Sequence, residues 1–218
     1  MQPQQSILSI PRSVPVYLNT NMTSQQTCGW LVCHGYGQRA DHIIRKWDGF
    51  DEGVHRVVSA EGGHRFYWSG MRGRPVATWM TSRLRLQDIE DNNTYLDTLV
   101  GKYFQGLHRR VVFGFSQGGT TLWRWIHARR PDIDVFIDYA GSIPEDINLS
   151  ELKEYASEKT IVFCYGTEDQ YITADKLQTL KETIALSGLS VQWHPFEGEH
   201  RVDRGVLHLF YERYVADI

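Results

Sequence analysis

The feature that most constrains this chain is a six-residue run, Gly114-Phe115-Ser116-Gln117-Gly118-Gly119, set between the apolar segment Val111-Val112-Phe113 and the helical pattern Thr121-Leu122-Trp123-Arg124-Trp125-Ile126. Gly-x-Ser-x-Gly alone arises by chance in roughly one chain of this length in ten or twenty, so the flanks carry the argument. A buried strand that turns at once into a helix crowds its own backbone, and small residues on both sides of the turn remove the clash. Ser116 would then stand at the C-terminal edge of the strand with its hydroxyl exposed, where sites in open α/β sheets are built.

The remaining sequence repeats the same strand-then-helix order. Ser6 to Ile10 and Val14 to Leu18 read as an opening antiparallel hairpin. Strands follow at Gly29 to Cys33, His55 to Ser59, Arg110 to Phe115, Val135 to Tyr139, Ile161 to Tyr165 and Val191 to His194. The central runs, including Ile161-Val162-Phe163-Cys164, are nearly all apolar, as strands covered on both faces must be. Helices are expected at Ala40 to Trp47, Asp88 to Tyr103, Gly118 to Arg129, Thr173 to Leu186 and Gly205 to Val215. Thr173 can cap the fourth of these and Gly188 can end it. The expected fold is a single α/β domain over residues 1–218: a mostly parallel central sheet, an N-terminal hairpin and helices on both faces. Only Gly141 to Lys159 separates the strands at Val135 and Ile161, which is too short for a cap domain.

A serine hydroxyl is a weak nucleophile at neutral pH, so an exposed Ser116 implies a histidine base and a carboxylate that holds the base's tautomer. In this architecture the order is Ser, acid, His. Asp169 in Tyr165-Gly166-Thr167-Glu168-Asp169 is the leading acid, with Glu168 and Asp138 as alternatives. His200 in Glu197-Gly198-Glu199-His200 is the leading base, with His194 as its rival. Both leading candidates follow strand C-termini, on the same rim as Ser116. Oxyanion donors are expected from the Gln117 amide and from the Tyr36 amide in His34-Gly35-Tyr36-Gly37, where flanking glycines let the backbone approach a ligand. His194, Glu197, Glu199 and His200 match no helical metal-binding spacing, so neither a metal nor a cofactor is expected.

Composition narrows the partners. With 23 basic and 26 acidic residues the formal charge is -3, and no single-sign run marks a nucleic-acid surface. No apolar run approaches the roughly 18 residues of a membrane helix, and Met1-Gln2-Pro3-Gln4-Gln5-Ser6 lacks the basic and apolar regions of a signal peptide. Cys28, Cys33 and Cys164 are too few and too scattered for a disulfide framework. These features suit a cytoplasmic protein without stable membrane insertion, as a monomer or homodimer.

Together, Leu31-Val32-Cys33-His34-Gly35-Tyr36-Gly37, Gly114-Phe115-Ser116-Gln117-Gly118-Gly119, Tyr165-Gly166-Thr167-Glu168-Asp169 and Gly198-Glu199-His200 resemble the phospholipase/carboxylesterase family of α/β-hydrolases, which includes small carboxylesterases and acyl-protein thioesterases. The resemblance spans nearly the whole chain. It implies Ser116 as nucleophile, Asp169 as acid, His200 as base and Tyr36 and Gln117 as amide donors, and it places Trp79 near the substrate groove. Arg201-Val202-Asp203 after the histidine and Met80-Thr81 after Trp79 depart from the thioesterase pattern, which turns the expectation away from palmitoyl-protein substrates.

The expected substrate is a small-molecule ester with a small or medium acyl chain, held against walls drawn from Tyr36, Trp79, Met80 and Tyr171. Acyl thioesterase or lysophospholipase activity is the alternative, and a non-catalytic binding relative is the rival of another class. The stretch Arg65 to Arg74 mixes aromatics with three arginines. It reads as a loop that packs its aromatics inward and solvates its charges, in preference to one that binds an acidic leaving group or a membrane surface.

Overall fold

The computed structural model describes residues 4–216; Met1-Gln2-Pro3, read above for the absence of a leader, lie outside the described residues. Seven strands form one sheet: β1 (Val16–Leu18), β2 (Cys28–Cys33), β3 (His55–Ala60), β6 (Arg109–Phe115), β7 (Val135–Tyr139), β8 (Thr160–Gly166) and β9 (Gln192–Phe196), in the spatial order β1-β3-β2-β6-β7-β8-β9. All neighbours are parallel except β1, which pairs antiparallel with β3.

The antiparallel pair therefore exists, but not as the expected hairpin. Ser6 to Ile10 forms no strand and is exposed, while Val16 pairs with Ala60 and Leu18 with Val58. Pro11 supplies no amide for a ladder next to that segment, and the outer edge of β1 carries no partner strand among the described residues.

Alternation along the strands sorts the core into two layers. Leu31, Val58, Val112 and Phe136 face one side, where α2 (Arg85–Tyr103), α3 (Gln117–Arg129) and α5 (Ala174–Ser187) pack through Leu96, Leu99, Trp123 and Ile184. Trp30, Val32, Val111, Phe113 and Ile137 face the other. That side is covered by α1 (Ala40–Ile43), its 3-10 continuation Ile44–Trp47, and α6 (Arg204–Tyr214). Thr173 caps α5 by accepting from the Lys176 amide, and Gly188 ends it at φ 74°. Between β7 and β8 lie only a 3-10 turn and the single-turn α4 (Lys153–Ala156), so no cap domain interrupts the fold.

A second sheet was not foreseen. β4 (His64–Ser69) and β5 (Arg72–Thr78) form an antiparallel hairpin over the segment read as a loop. Tyr67 and Trp68 on it are each 53% exposed, so its aromatics are not all turned inward.

Candidate active site

The site begins with the turn between β6 and α3. Ser116 sits at φ 53°, ψ −117°, a conformation costing about 1–3 kcal/mol that persists only where the surroundings enforce it. They do so on both sides. Its amide donates to the Tyr139 carbonyl at 2.9 Å. Leu122, Trp123, Trp125 and Ile126 are buried, at roughly 1.5–3 kcal/mol each, and fix the helix that starts at Gln117. The flanking glycines are steric necessities: a Cβ on Gly114 would lie 2.5 Å from Gly119 Cα, and one on Gly118 would lie 2.3 Å from the Cys33 carbonyl oxygen. Both obstacles are backbone and cannot yield.

The acid and base candidates meet. Asp169 follows β8 and His200 follows β9, and Asp169 Oδ2 lies 2.6 Å from His200 Nδ1. The Asp169 side chain is fully buried, and its Oδ1 accepts from the amides of Tyr171 at 2.8 Å and Ile172 at 3.3 Å. The two loops are zipped by main chain, Thr167 N–H to Phe196 O and Glu168 N–H to Gly198 O, each at 2.9 Å. The His200 ring lies between those of Phe115, 4.9 Å away, and Tyr171, 4.7 Å away.

The rivals are occupied elsewhere. His194 packs its ring 4.8 Å from Phe210. Asp138 is buried, its Oδ2 accepts from Trp123 Nε1 at 2.7 Å, and burial pushes its carboxyl up to about 7. Among the described residues no three His, Cys, Asp or Glu side chains gather as a metal site.

The Tyr36 loop is clamped beside Ser116. A Cβ on Gly35 would lie 3.3 Å from that of Ser116. The amides of Gly35 and Gly37 are consumed by Gln38 Oε1 and Ala77 O, whereas the Tyr36 amide meets no acceptor among the described residues. Gln117 opens α3, so its N–H is one that the helix leaves unpaired. Behind the loop, buried His34 accepts from the Gly62 amide at Nε2, 3.0 Å, and lies 2.7 Å from Gly35 O at Nδ1. A carbonyl only accepts and an amide only donates, so the neutral Nδ1–H tautomer is selected; burial pushes this imidazole down to about 4. The Gln117 side chain ties the elbow to the next segment, its Oε1 accepting from Thr78 Oγ1 at 2.9 Å and Trp79 N at 3.2 Å.

Ser116, Gln117 and His200 open onto one cavity of about 1130 Å³. Met80 and Tyr171 line it. Trp79 does not: it is fully buried in the core, its Nε1–H held by the His34 carbonyl at 2.8 Å, so it supports the loop from behind and presents no face to a ligand. The Tyr36 side chain is exposed beside the hairpin, its ring 5.4 Å from that of Phe66, and is not a wall of this cavity. The apolar wall comes instead from Ile143, Ile147 and Leu149 after β7 and Leu180 on α5. Arg124 also reaches the cavity, with Nε and Nη2 on the Asp146 carboxylate at 2.9–3.1 Å. A lone charge inside Leu122-Trp123-Arg124-Trp125-Ile126 was the signal for that residue.

With this geometry in place, comparison with known proteins is decisive at the level of family. The family described as Phospholipase/Carboxylesterase matches residues 21–212. The chain belongs to that family. No curated protein matches it. Among solved structures, Zea mays acyl-protein thioesterase 2 superposes with a TM-score of 0.74 at 14% identity, covering 93% of this chain and 98% of that one. The Bacillus cereus carboxylesterase gives 0.67 at 16% identity, covering 94% and 95%, and esterase PE8 gives 0.70 at 16%, covering 94% and 100%. These likenesses establish the α/β-hydrolase fold of this phospholipase/carboxylesterase family member. No helix among its described residues is long and apolar enough to cross a membrane.

Proposed function

We propose that this protein is a serine carboxylesterase that cleaves esters of small or medium acyl chains through an acyl-enzyme. The observation that carries the reading is the 2.6 Å contact of His200 Nδ1 with buried Asp169, made by a histidine that shares a cavity with the strained Ser116. Asp169 accepts from Nδ1–H and leaves Nε2 free to take the Ser116 proton. Ser116 Oγ attacks the acyl carbon, and the Tyr36 and Gln117 amides receive the oxyanion. As the C–O bond breaks, His200 returns the proton to the departing alkoxide. Water, deprotonated by the same imidazole, then releases the acid and regenerates the hydroxyl. Apart from that water, the groups this cycle uses are protein side chains and amides.

Ser116→Ala should lower turnover of p-nitrophenyl butyrate by roughly three to six orders of magnitude while the thermal unfolding curve is kept. Unaltered turnover would sink the reading. Covalent labelling by a fluorophosphonate at Ser116, found by peptide mapping, separates the enzyme from a non-catalytic binding relative. A thioesterase reading is favoured only by the likeness to the maize thioesterase, and paired oxygen and thioesters of one acyl chain test it.

A further inference from the structure

His200 forms part of two cavities. Sharing only this residue with the large one is a second of about 290 Å³, roughly the volume of ten liquid-water molecules. Arg39, His42, Lys46, Arg74 and Arg201 converge on it. Arg39, His42 and Lys46 fall at i, i+3 and i+7 on one face of α1 and the 3-10 turn that continues it, whereas Arg74 comes from β5 and Arg201 from the loop beyond β9, so three separate segments supply the charge. Arg39 is answered by Asp41, with Nη2–Oδ2 at 2.6 Å and Nε–Oδ1 at 2.9 Å, and Glu61 also acts on it. The His42 ring reaches the same Asp41 at 4.0 Å. Among the described residues, Lys46, Arg74 and Arg201 have no carboxylate within 4.0 Å. A cleft with this excess of positive charge, in a chain of net charge -3, concentrates anions at its mouth.

The position of the cavity gives the charge a meaning, on the esterase reading above. The acyl group stays with Ser116, and the leaving oxygen must depart on the side of the imidazole that protonates it. We infer that the basic cavity receives the leaving half of the substrate, and that this half is anionic: an alcohol carrying a phosphate or a carboxylate a few bonds from the ester oxygen. Arginine forks suit either oxyanion.

Three butyrate esters test this on the full-length protein: monobutyrylglycerol, butyrylglycerol 3-phosphate and butyrylglycolate. At low salt one anionic ester should exceed the neutral one in kcat/KM by tenfold or more, and which one does so tells phosphate from carboxylate. The double variant Lys46→Gln/Arg74→Gln, at positions that do not line the cavity of Ser116, should lower the ratio of anionic to neutral kcat/KM by at least tenfold. Calorimetric binding of glycerol 3-phosphate and of glycolate, to the wild type, to Ser116→Ala and to the double variant, needs no turnover. A Kd below roughly 1 mM for one of them, kept in Ser116→Ala and lost in the double variant, supports the site even if no ester is cleaved, an outcome that would overturn the esterase reading alone. Equal kcat/KM for neutral and anionic esters, or binding unaffected by the double variant, overturns the inference and leaves the esterase reading standing.

Discussion

Asp169→Asn isolates one atom of the proposed machinery. In the native site the two carboxylate oxygens have separate duties: Oδ1 receives the amides of Tyr171 and Ile172, and Oδ2 lies 2.6 Å from His200 Nδ1. An asparagine keeps the first duty only if its carbonyl faces those amides, because an NH2 there would oppose two donors. Its NH2 then points at Nδ1, which must give up its proton to accept. The proton moves to Nε2, the atom that should take the one from Ser116, and the imidazole stops being a base. Loss of the correct tautomer in a serine triad costs about 10⁴-fold in kcat, or about 5.5 kcal/mol of transition-state stabilisation. Stability should fall by no more than about 1–2 kcal/mol, since the loop's backbone bonds survive. Initial rates on p-nitrophenyl butyrate, with a melting curve on the same preparation, measure both. A folded variant whose kcat stays within tenfold of the wild type would refute the assignment of Asp169. Asp169→Ala is the poorer probe, because it also releases Tyr171, whose ring packs 4.7 Å from that of His200.

Three further outcomes follow from the same geometry. Gly118→Ala drives a methyl to 2.3 Å from the Cys33 carbonyl; overpacking against backbone should cost at least about 1–3 kcal/mol in chemical denaturation and most of the esterase activity, and a silent substitution would mean that the helix is not seated on β2. Leu180→Trp should fill the apolar end of the large cavity and shift the optimum among p-nitrophenyl esters to a shorter chain; an unchanged chain-length profile would place the acyl group elsewhere. Burial holds His34 neutral down to about 4, below its ordinary 6.5, and holds Asp138 protonated up to about 7, above its ordinary 3.8. On acidification His34 therefore costs stability, because the unfolded chain binds its proton first, and Asp138 adds stability, because the fold binds its proton first; each effect amounts to roughly 3–4 kcal/mol. Asp138→Asn removes the second and should make Tm fall by roughly 6–12 °C more than in the wild type between neutral pH and about pH 4; parallel Tm curves would count against the assigned directions.

What could be read from the letters follows their range of interaction. The buried strands announce themselves, since a strand covered on both faces is nearly all apolar: Val135–Tyr139, polar only at Asp138, is found where it was read, and β8 differs from its expected span by one residue at each end. Thr173 and Gly188 act through atoms a few residues away and mark the ends of α5 as expected. The partner of β1 was not legible, because edge pairing depends on which strand lies beside it after folding. The β4–β5 hairpin hid behind half-exposed aromatics, although Gly70 at φ 65° between two aromatic and arginine-bearing runs was a turn signal. Trp79 failed for a different reason. Proximity in sequence to Met80 says nothing of which face looks at the cavity, and the Trp79 ring turned into the core to reach the His34 carbonyl.

The parts of the site differ in what holds them. Ser116 is fixed by glycines that have backbone where a side chain would go, and the Asp169 and His200 loops are joined by main-chain hydrogen bonds. The Tyr36 loop is held by Ala77 and His34, and by the Trp68 ring, which occupies the space a Cβ on Gly37 would need. Such constraints admit few substitutions, and they are the segments in which the family resemblance was visible. The two cavities that share His200 are lined by side chains from separate elements, such as Leu180 and Ile143 in one and Lys46 and Arg74 in the other. Those positions can change without moving a backbone atom of the elbow. Chemistry and specificity are thus carried by different physical devices in this fold, so the family match constrains the reaction far more tightly than it constrains either half of the substrate.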